Sequence, residues 1–241
     1  MTHYTRVKPG ILYLIPTPLG ENNIAWVIPA AVRQCIAGLG HYVVEHPKTA
    51  RQFLKQVGCA LPLQEIKMQV LDEHTPPKEF ASLLAPLLAG NDVGLLSEAG
   101  CPAVADPGAG LVRLAHQQNI RVVPLVGPSS ILLALMASGL NGQRFVFHGY
   151  LPVENDQRIR KIVELEKEST ARDQTQIFIE TPYRNQKLLE ALIQACRDST
   201  ELCIACDLTL ASEQIATRTI KEWRLGLPDI HKKPVIFLLH G

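Results

Sequence analysis

The residues best suited to chemistry follow short apolar runs, at points where buried strands would end. The richest such segment is LSEAGCPAVADPG, from Leu96 to Gly108. Its small residues would let the backbone approach a ligand closely and offer N–H and C=O groups to it. The same residues would also suit a tight strand-to-helix connection that needs Gly and Pro only for its turns. From residue types alone, both interpretations stay open.

Two carboxylates, Glu45 and Glu180, also stand at predicted strand ends. A carboxylate there would touch a cationic ligand or accept a proton. The alternative is a helix cap or an ion pair, and for Glu180 the nearby partner is Arg184. Parallel strands present their carboxyl ends to ligands, and Glu180 ends the apolar run 177–179. We therefore expect Glu180 to support catalysis or substrate placement more than folding.

The sequence lacks the residue patterns of the common nucleotide-binding and zinc sites. No GxGxxG follows the first predicted strand, and no GxxxxGK[ST] occurs. The sequence therefore argues against dinucleotide binding and against P-loop nucleotide chemistry. Cys203 and Cys206 form a CxxC pair, but no second pair or nearby His completes a zinc set. On a strand these two side chains would point to opposite faces. We therefore expect buried structural thiols and no metal.

The first half of the chain alternates strand and helix patterns. Strands are predicted at 10–15, 41–45, 65–71, 93–96 and 121–125, and helices at 29–39, 49–57 and 76–88. A further helix is predicted to begin at Asp106, with Asp as N-cap and Pro107 at the first helical position. This alternation indicates parallel βαβ units.

The second half follows a turn cluster, VGPSS, which begins directly after Leu125. Strands are predicted at 144–148, 176–180, 202–206, 214–220 and 235–239, and helices at 131–138, 157–167 and 184–196. Consecutive strands without a helix between them suggest antiparallel pairing. The predicted fold class is α/β with two α/β domains, residues 1–125 and 126–241, and a cleft between them. The N-terminal sheet should be mostly parallel and the C-terminal sheet mixed.

Composition restricts the possible partners. Lys plus Arg number 24 against 23 Asp plus Glu, a formal net charge of +1, so RNA binding would have to rest on a local patch. The apolar run 131–137 is far shorter than the roughly 20 residues of a membrane span. The six cysteines lack the dense spacing of a secreted disulfide scaffold, and we expect a reduced, cytoplasmic protein.

Several ordered segments resemble one family. YLIPTPLG from Tyr13 is similar to the opening strand and loop of bacterial enzymes that methylate a ribose 2′-hydroxyl of small-subunit ribosomal RNA. Those enzymes belong to the tetrapyrrole (corrin/porphyrin) methylase superfamily. The segment 95–108 is similar to that family's SDAGTPxxSDPG stretch, and RVVPLVGPS at 121–129 to RVxPxPGP. The segments SGL at 138–140, RF at 144–145, GYLP at 149–152, FIETPYR at 178–184 and ACDLT at 205–209 resemble later family motifs.

The resemblance implies a homodimer that binds S-adenosylmethionine between its two domains, largely through backbone groups. Matched position by position, the cofactor residues would be Pro18, Ser97, Glu98, Ala99, Gly100, Val104, Asp106, Gly127, Ser129 and Ser130, with Thr181, Pro182 and Tyr183 from the second domain. Methyl transfer from a sulfonium is an in-line displacement that depends on positioning and needs no metal or covalent nucleophile.

The methyl acceptor stays open because two departures fall where a substrate is expected. EHPKTAR at 45–51 stands where the RNA enzymes have EDTR, and Gly241 follows the last predicted strand directly. The leading hypothesis is an RNA methyltransferase, with Glu45, Lys48, Arg51 and Arg184 as substrate residues. A tetrapyrrole or other small-molecule methyltransferase is the second hypothesis, and a non-catalytic S-adenosylmethionine-binding protein is the third.

Overall fold

The computed structural model describes residues 7–21 and 24–241. The chain forms two compact units, which divide between Ser129 and Ser130. Each unit contains one five-stranded sheet. Within the described ranges, no helix combines the length and apolar character that crossing a membrane requires.

The first unit has an entirely parallel sheet. Its strands are β1 (Ile11–Ile15), β2 (His41–Val44), β3 (Lys67–Val70), β4 (Val93–Leu96) and β5 (Arg121–Pro124), in the order β3-β2-β4-β1-β5. The helices are α1 (Ile24–Val27), α2 (Ala30–Ala37), α3 (Pro47–Val57), α4 (Phe80–Leu83), α5 (Ala85–Leu88) and α6 (Ala109–Gln117). The order agrees with the predicted βαβ alternation.

Both faces of this sheet are covered, which explains why its strands are apolar without alternation. Leu12 of β1 packs into a cluster with residues of α4, α5 and α6. Ile15 of the same strand packs into a second cluster with residues of α1, α2 and α3. A side chain on either face of the central strands is therefore buried.

Two predicted helices differ from the structure. The helix predicted at 76–88 is a 3₁₀ turn (Pro77–Glu79) followed by α4 and α5, because Pro86 cannot donate a backbone hydrogen bond within a continuous helix. The helix predicted to begin at Asp106 starts instead at Ala109, so Asp106 is not its N-cap. Gly108 occupies that position with φ of 126°, a conformation that favours glycine.

The second unit has the predicted mixed sheet. Its strands are β6 (Phe145–Tyr150), β7 (Thr175–Ile179), β8 (Glu201–Cys206), β9 (Gln214–Thr219) and β10 (Val235–His240), in the order β6-β7-β10-β8-β9. Only β6 and β7 pair in parallel, and the other pairs are antiparallel. The helices are α7 (Ser130–Ser138), α8 (Asn155–Arg172), α9 (Asn185–Ala195) and α10 (Ile220–Trp223).

The core of the second unit lies on one face of the two central strands. Phe178 of β7 stacks on Phe237 of β10, with ring centroids 6.0 Å apart. Helices α8 and α9 contribute Ile162, Leu165 and Leu188 to the same cluster. The short helix α10 was absent from the sequence prediction and begins with a capping box between Thr219 and Glu222.

Candidate functional site

The carboxyl edge of the first sheet brings the predicted loops together. Strands β1 and β4 are parallel neighbours, with Ile15 opposite Leu96. The loops that follow them are joined by a backbone bridge: Thr17 N donates to Gly100 O over 2.9 Å, and Gly100 N to Thr17 O over 3.1 Å. Ser97 Oγ donates to Gly100 O over 2.6 Å, which closes the 97–100 turn. Pro18 and residues 97–100 therefore form one rigid, backbone-built edge.

Glycines allow this close packing. Gly100 has φ of +75°, which strains any residue with a Cβ. A Cβ on Gly127, in the loop after β5, would lie 2.5 Å from Pro16 Cβ. Cys101 Sγ donates to Pro128 O over 3.5 Å and ties that loop to the one after β4. The loops after β4, β1 and β5, neighbours in the sheet, thus meet at one edge.

A cavity of about 240 Å³ opens on this edge. Pro18, Ser97, Glu98 and Ala99 from the predicted set line it, together with residues of α3 such as Phe53. Backbone groups of the 97–100 turn and the Glu98 carboxylate are therefore available to a ligand of the first unit.

The segment 101–108 is a tight series of turns. Ala103 and Ala105 both have positive φ, 65° and 54°, although neither is glycine. Such conformations persist only where the surrounding structure imposes them. Val104 is exposed between them, and Asp106 follows them half-buried. The segment is thus more than the simple connector that Gly and Pro alone would suit.

Carboxylates from separate segments converge beside the cavity. Asp106 shares a hydrogen bond with Glu45, which needs a proton on one of the two groups, and Glu98 is a third carboxylate nearby. Burial and the neighbouring Glu45 raise the pKa of Asp106 to about 7. Burial also raises the pKa of Glu45, with Glu98 acting in the same direction. Asp106 Oδ2 is buried without a hydrogen-bond partner in the described part of the chain.

His46 joins this group, and the sequence analysis did not anticipate it. Ligand atoms of Glu45, His46 and Glu98 lie within 4.8 Å of one another, a spacing that a cation could bridge. His46 and Glu98 are exposed, however, and exposed acidic groups are common without a metal. Thr49 Oγ1 donates to Glu98 Oε1 over 2.7 Å. These residues meet because β2 and β4 are adjacent in the sheet, which brings together the segments that follow each strand.

The predicted substrate residues Lys48 and Arg51 lie on the first turns of α3. Both are exposed, and Arg51 Nη1 approaches Pro47 O at 3.5 Å. Arg184 is placed differently, in the second unit. Its guanidinium donates to Glu180 Oε1 through Nε at 3.0 Å and Nη2 at 2.7 Å.

Glu180 is held at the carboxyl end of β7. Its side chain is 1% exposed, and Oε1 also accepts from Thr181 N over 2.6 Å. Oε2 is buried and has no partner among the described residues. The ion pair with Arg184, left open by the sequence, is therefore present, with the Glu180 carboxylate buried and the Arg184 side chain partly exposed. It fixes the start of the Thr181–Pro182–Tyr183 segment, so Glu180 has a structural role, and its role in catalysis or substrate placement stays a prediction.

The CxxC cysteines are buried on opposite faces of β8. Cys206 belongs to the core cluster and Cys203 does not. Burial raises the pKa of both thiols, that of Cys206 to about 11. Neither belongs to the close group of metal-ligating side chains found in the described residues.

Comparison with known proteins identifies the family. The model of the Tetrapyrrole (Corrin/Porphyrin) Methylases matches residues 34–223. The chain belongs to this family. Ribosomal RNA small subunit methyltransferase I of Vibrio cholerae is 31% identical over 246 residues, which cover 100% of this chain and 81% of that protein. The enzyme of the same name from Mesorhizobium japonicum is 35% identical, over 87% of this chain and 67% of its own length.

A solved structure shows the same fold. The methyltransferase CobJ superposes with a TM-score of 0.63 at 16% identity, covering 97% of this chain and 94% of its own. At that identity the likeness concerns the fold. Family membership and the relatives together make this tetrapyrrole methylase a methyltransferase.

Proposed function

We propose that this tetrapyrrole methylase transfers the methyl group of S-adenosylmethionine to a ribose 2′-hydroxyl of small-subunit ribosomal RNA, in the cytoplasm. The observation that carries the proposal is the rigid edge made by the Thr17–Gly100 bridge, with its cavity. The substrate class comes from the two full-length relatives, which are ribosomal RNA methyltransferases by name.

The first unit supplies suitable groups for the cofactor. Ser97, Glu98 and Ala99 line the cavity together with Pro18. Val104, Asp106, Gly127, Ser129 and Ser130 are proposed as further cofactor residues, and Thr181, Pro182 and Tyr183 as contributors from the second unit. S-adenosylmethionine supplies an activated methyl group on a sulfonium, so the protein's task is to orient the acceptor and exclude water.

The carboxylates beside the cavity favour a cation. Glu45, Glu98 and Asp106 repel one another, and a positive ligand nearby would relieve that repulsion. S-adenosylmethionine carries one more positive charge than its demethylated product. The carboxylates therefore favour cofactor over product, and Glu98→Gln should narrow the difference between the two affinities.

Glu180 remains the proposed site residue of the second unit. Because Oε1 already accepts three hydrogen bonds, the geometry supports placement of Thr181 and Arg184 better than removal of a proton. Glu45, Lys48, Arg51 and Arg184 are proposed as substrate contacts.

We also propose that the active form is a homodimer. Trp26 is 81% exposed and Met136 is 80% exposed, and burial of such large apolar side chains would favour self-association. Light scattering after size-exclusion chromatography should give twice the monomer mass. A monomer at micromolar concentration would contradict this part of the proposal.

Two experiments test the proposed function. Calorimetric titration should show that S-adenosylmethionine binds the parent, and that Gly100→Val binds about tenfold more weakly, or about 1.4 kcal/mol. Mass spectrometry of nucleosides from small-subunit ribosomal RNA should show that a deletion strain lacks one 2′-O-methylnucleoside, which a plasmid copy restores. Unchanged ribosomal RNA together with a methylated tetrapyrrole or other small molecule would replace the proposed acceptor.

A further inference from the structure

A second surface, formed entirely within the second unit, has the chemistry of an RNA contact. The inference rests on the proposed function, because it assumes that the acceptor is RNA. The chain as a whole has a formal net charge of only +1, so a polyanion must be attracted locally. Exposed cations beside an exposed aromatic ring would supply that attraction.

The surface is formed by two segments at the same edge of the sheet, one that follows β7 and one that precedes β10. Strands β7 and β10 are antiparallel neighbours, with Ile179 opposite Ile236. The chain that leaves β7 and the chain that enters β10 are therefore adjacent. Lys232 N donates to Pro182 O over 3.0 Å, and Asn185 Nδ2 donates to Lys233 O over 2.6 Å. These bonds clamp the two segments together.

Tyr183 is the aromatic centre of this surface and is 71% exposed. The His231 ring meets it edge-on, with centroids 6.4 Å apart and planes at 80°. Lys232 Nζ lies 5.8 Å from the Tyr183 ring centroid. The sequence analysis placed Tyr183 with the cofactor and did not consider His231 or Lys232.

The charges of the two segments favour an anion. The two segments contain three cationic residues, Arg184, Lys232 and Lys233, and two carboxylates, Glu180 and Asp229. Of the two carboxylates, Glu180 is buried. Asp229 Oδ1 is held by the backbone N–H of His231. Lys232 has φ of 61°, a left-handed conformation that its bond to Pro182 O maintains. A backbone segment fixed in this way loses less entropy when it binds a ligand.

We propose that Tyr183, Arg184, His231 and Lys232, here called the Tyr183 surface, bind an unpaired nucleotide of the RNA substrate. The base stacks on the Tyr183 ring, and Arg184 and Lys232 contact phosphates. Single-stranded RNA is commonly bound by aromatic rings that stack on bases, with cations along the backbone.

A competing surface lies at the other end of the same sheet. Arg144, Phe145 and Arg172 line a cavity of about 440 Å³ there, and Phe145 is 39% exposed. Phe145 begins β6, however, and ligands of α/β sheets bind beyond the carboxyl ends of parallel strands. The Tyr183 surface follows the carboxyl end of β7 and is therefore favoured, and Phe145 provides a matched aromatic control.

The test measures RNA binding directly, by fluorescence anisotropy of a labelled single-stranded oligoribonucleotide with the full chain. Tyr183→Leu should weaken binding about tenfold, and Tyr183→Phe should bind like the parent, because stacking needs only the ring. Lys232→Ala should make the binding constant less dependent on salt concentration, by about the amount expected for one lost phosphate contact. Phe145→Leu and Lys167→Ala are the controls, and each should bind like the parent. Ultraviolet crosslinking of the parent should label the peptide that contains Tyr183.

The outcomes separate this inference from the proposed function. If the parent binds and methylates RNA but Tyr183→Leu binds RNA equally well, the Tyr183 surface is wrong and the proposed function stands. If Tyr183→Leu weakens only S-adenosylmethionine binding, the ring belongs to the cofactor. If the parent neither binds nor methylates RNA, both proposals fail. Thermal unfolding of each variant confirms that a loss of binding is not a loss of fold.

Discussion

The two sheets present different kinds of surface at their ligand-facing edges. The first edge is made of backbone, with Thr17 paired to Gly100 and Gly127 packed against Pro16. The second edge is made of long side chains, with Arg184 and Tyr183 projecting from a clamped loop. A backbone surface depends on the absence of side chains, so substitutions there disturb folding and binding together. A side-chain surface can change its ligand preference while the fold persists.

The largest effect is expected at Gly127, where the first edge is most closely packed. Gly127→Val should lower the free energy of unfolding by about 2–3 kcal/mol, because its Cβ would lie 2.5 Å from Pro16 Cβ. Urea unfolding measures this change. Gly142→Val is the matched control and should change stability little, since a Cβ there meets no atom within 4 Å. Equal stability of both variants would show that the first edge is not tightly packed.

A smaller effect is expected for Glu180, on which the loop of the second edge depends. Glu180→Gln should cost about 1–3 kcal/mol of unfolding free energy, because the buried pair with Arg184 is lost and an amide group replaces the buried Oε2. Chemical denaturation checks this, with the exposed Glu190→Gln as control. Methyl transfer should fall further than stability explains. A variant with parental stability and activity would remove Glu180 from the site.

The third prediction concerns pH and the carboxylates of the first edge. Asp106 has a pKa of about 7 in the folded protein, above its usual 3.8, so its stabilising contribution is complete at low pH and is lost as pH rises towards 7. Glu45 and Glu98 act on it directly, and His46 lies close to both of those carboxylates. Asp106→Asn cannot lose a proton, so its stability relative to the parent should increase between pH 4 and pH 8. Urea unfolding at several pH values measures this.

Two further variants sharpen the pH experiment. Glu45→Gln should also gain stability relative to the parent as pH rises. In the double variant with Asp106→Asn the gain in unfolding free energy should be smaller than the sum of the two single gains, because the two carboxyls share one proton. Asp72→Asn should act oppositely and at lower pH: hydrogen bonds from Thr75 lower the pKa of Asp72 from 3.8, so the parent loses this stabilisation only as pH falls below about 4. A parallel pH response of parent and Asp106→Asn would contradict the shared proton.

The smallest effect is expected at the two CxxC thiols of β8, which belong to neither edge. Cys203 and Cys206 should react slowly with an alkylating reagent at pH 8, because burial raises their pKa values. The half-buried Cys35, Cys59 and Cys101 should react faster, and all six should react in denaturant. Mass spectrometry of the labelled peptides measures this. Stoichiometric zinc that is lost in a double Cys→Ser variant would overturn the structural role.

The fold and the first edge were largely predictable, for a local reason. The 97–100 turn follows an apolar run, and parallel neighbours bring their carboxyl ends together whatever the details of register. Both α/β sheets, the first parallel and the second mixed, followed from the order of strand and helix patterns.

The missed contacts depend on register and strand order, which no local pattern contains. Glu45 and Asp106 meet only because β2 lies beside β4 and the 101–108 turns fold back. Tyr183 and His231 meet only because β10 inserts next to β7 rather than at an edge. The start of α6 was misplaced because Gly108 follows two alanines with positive φ, which residue preferences do not anticipate.

The central position of β10 also sets the order in which the protein can form during synthesis. Strand β10 pairs with both β7 and β8, yet it is the last strand along the chain. Until it emerges from the ribosome, β6–β7 and β8–β9 are separate two-stranded ribbons, which are marginally stable and expose unpaired edges. Some 55 residues separate Ile179 from Val235, about 3–11 s of translation at roughly 5–20 residues per second. The first sheet has all its strands by then, so the nascent chain carries one folded unit and one that is still open to aggregation.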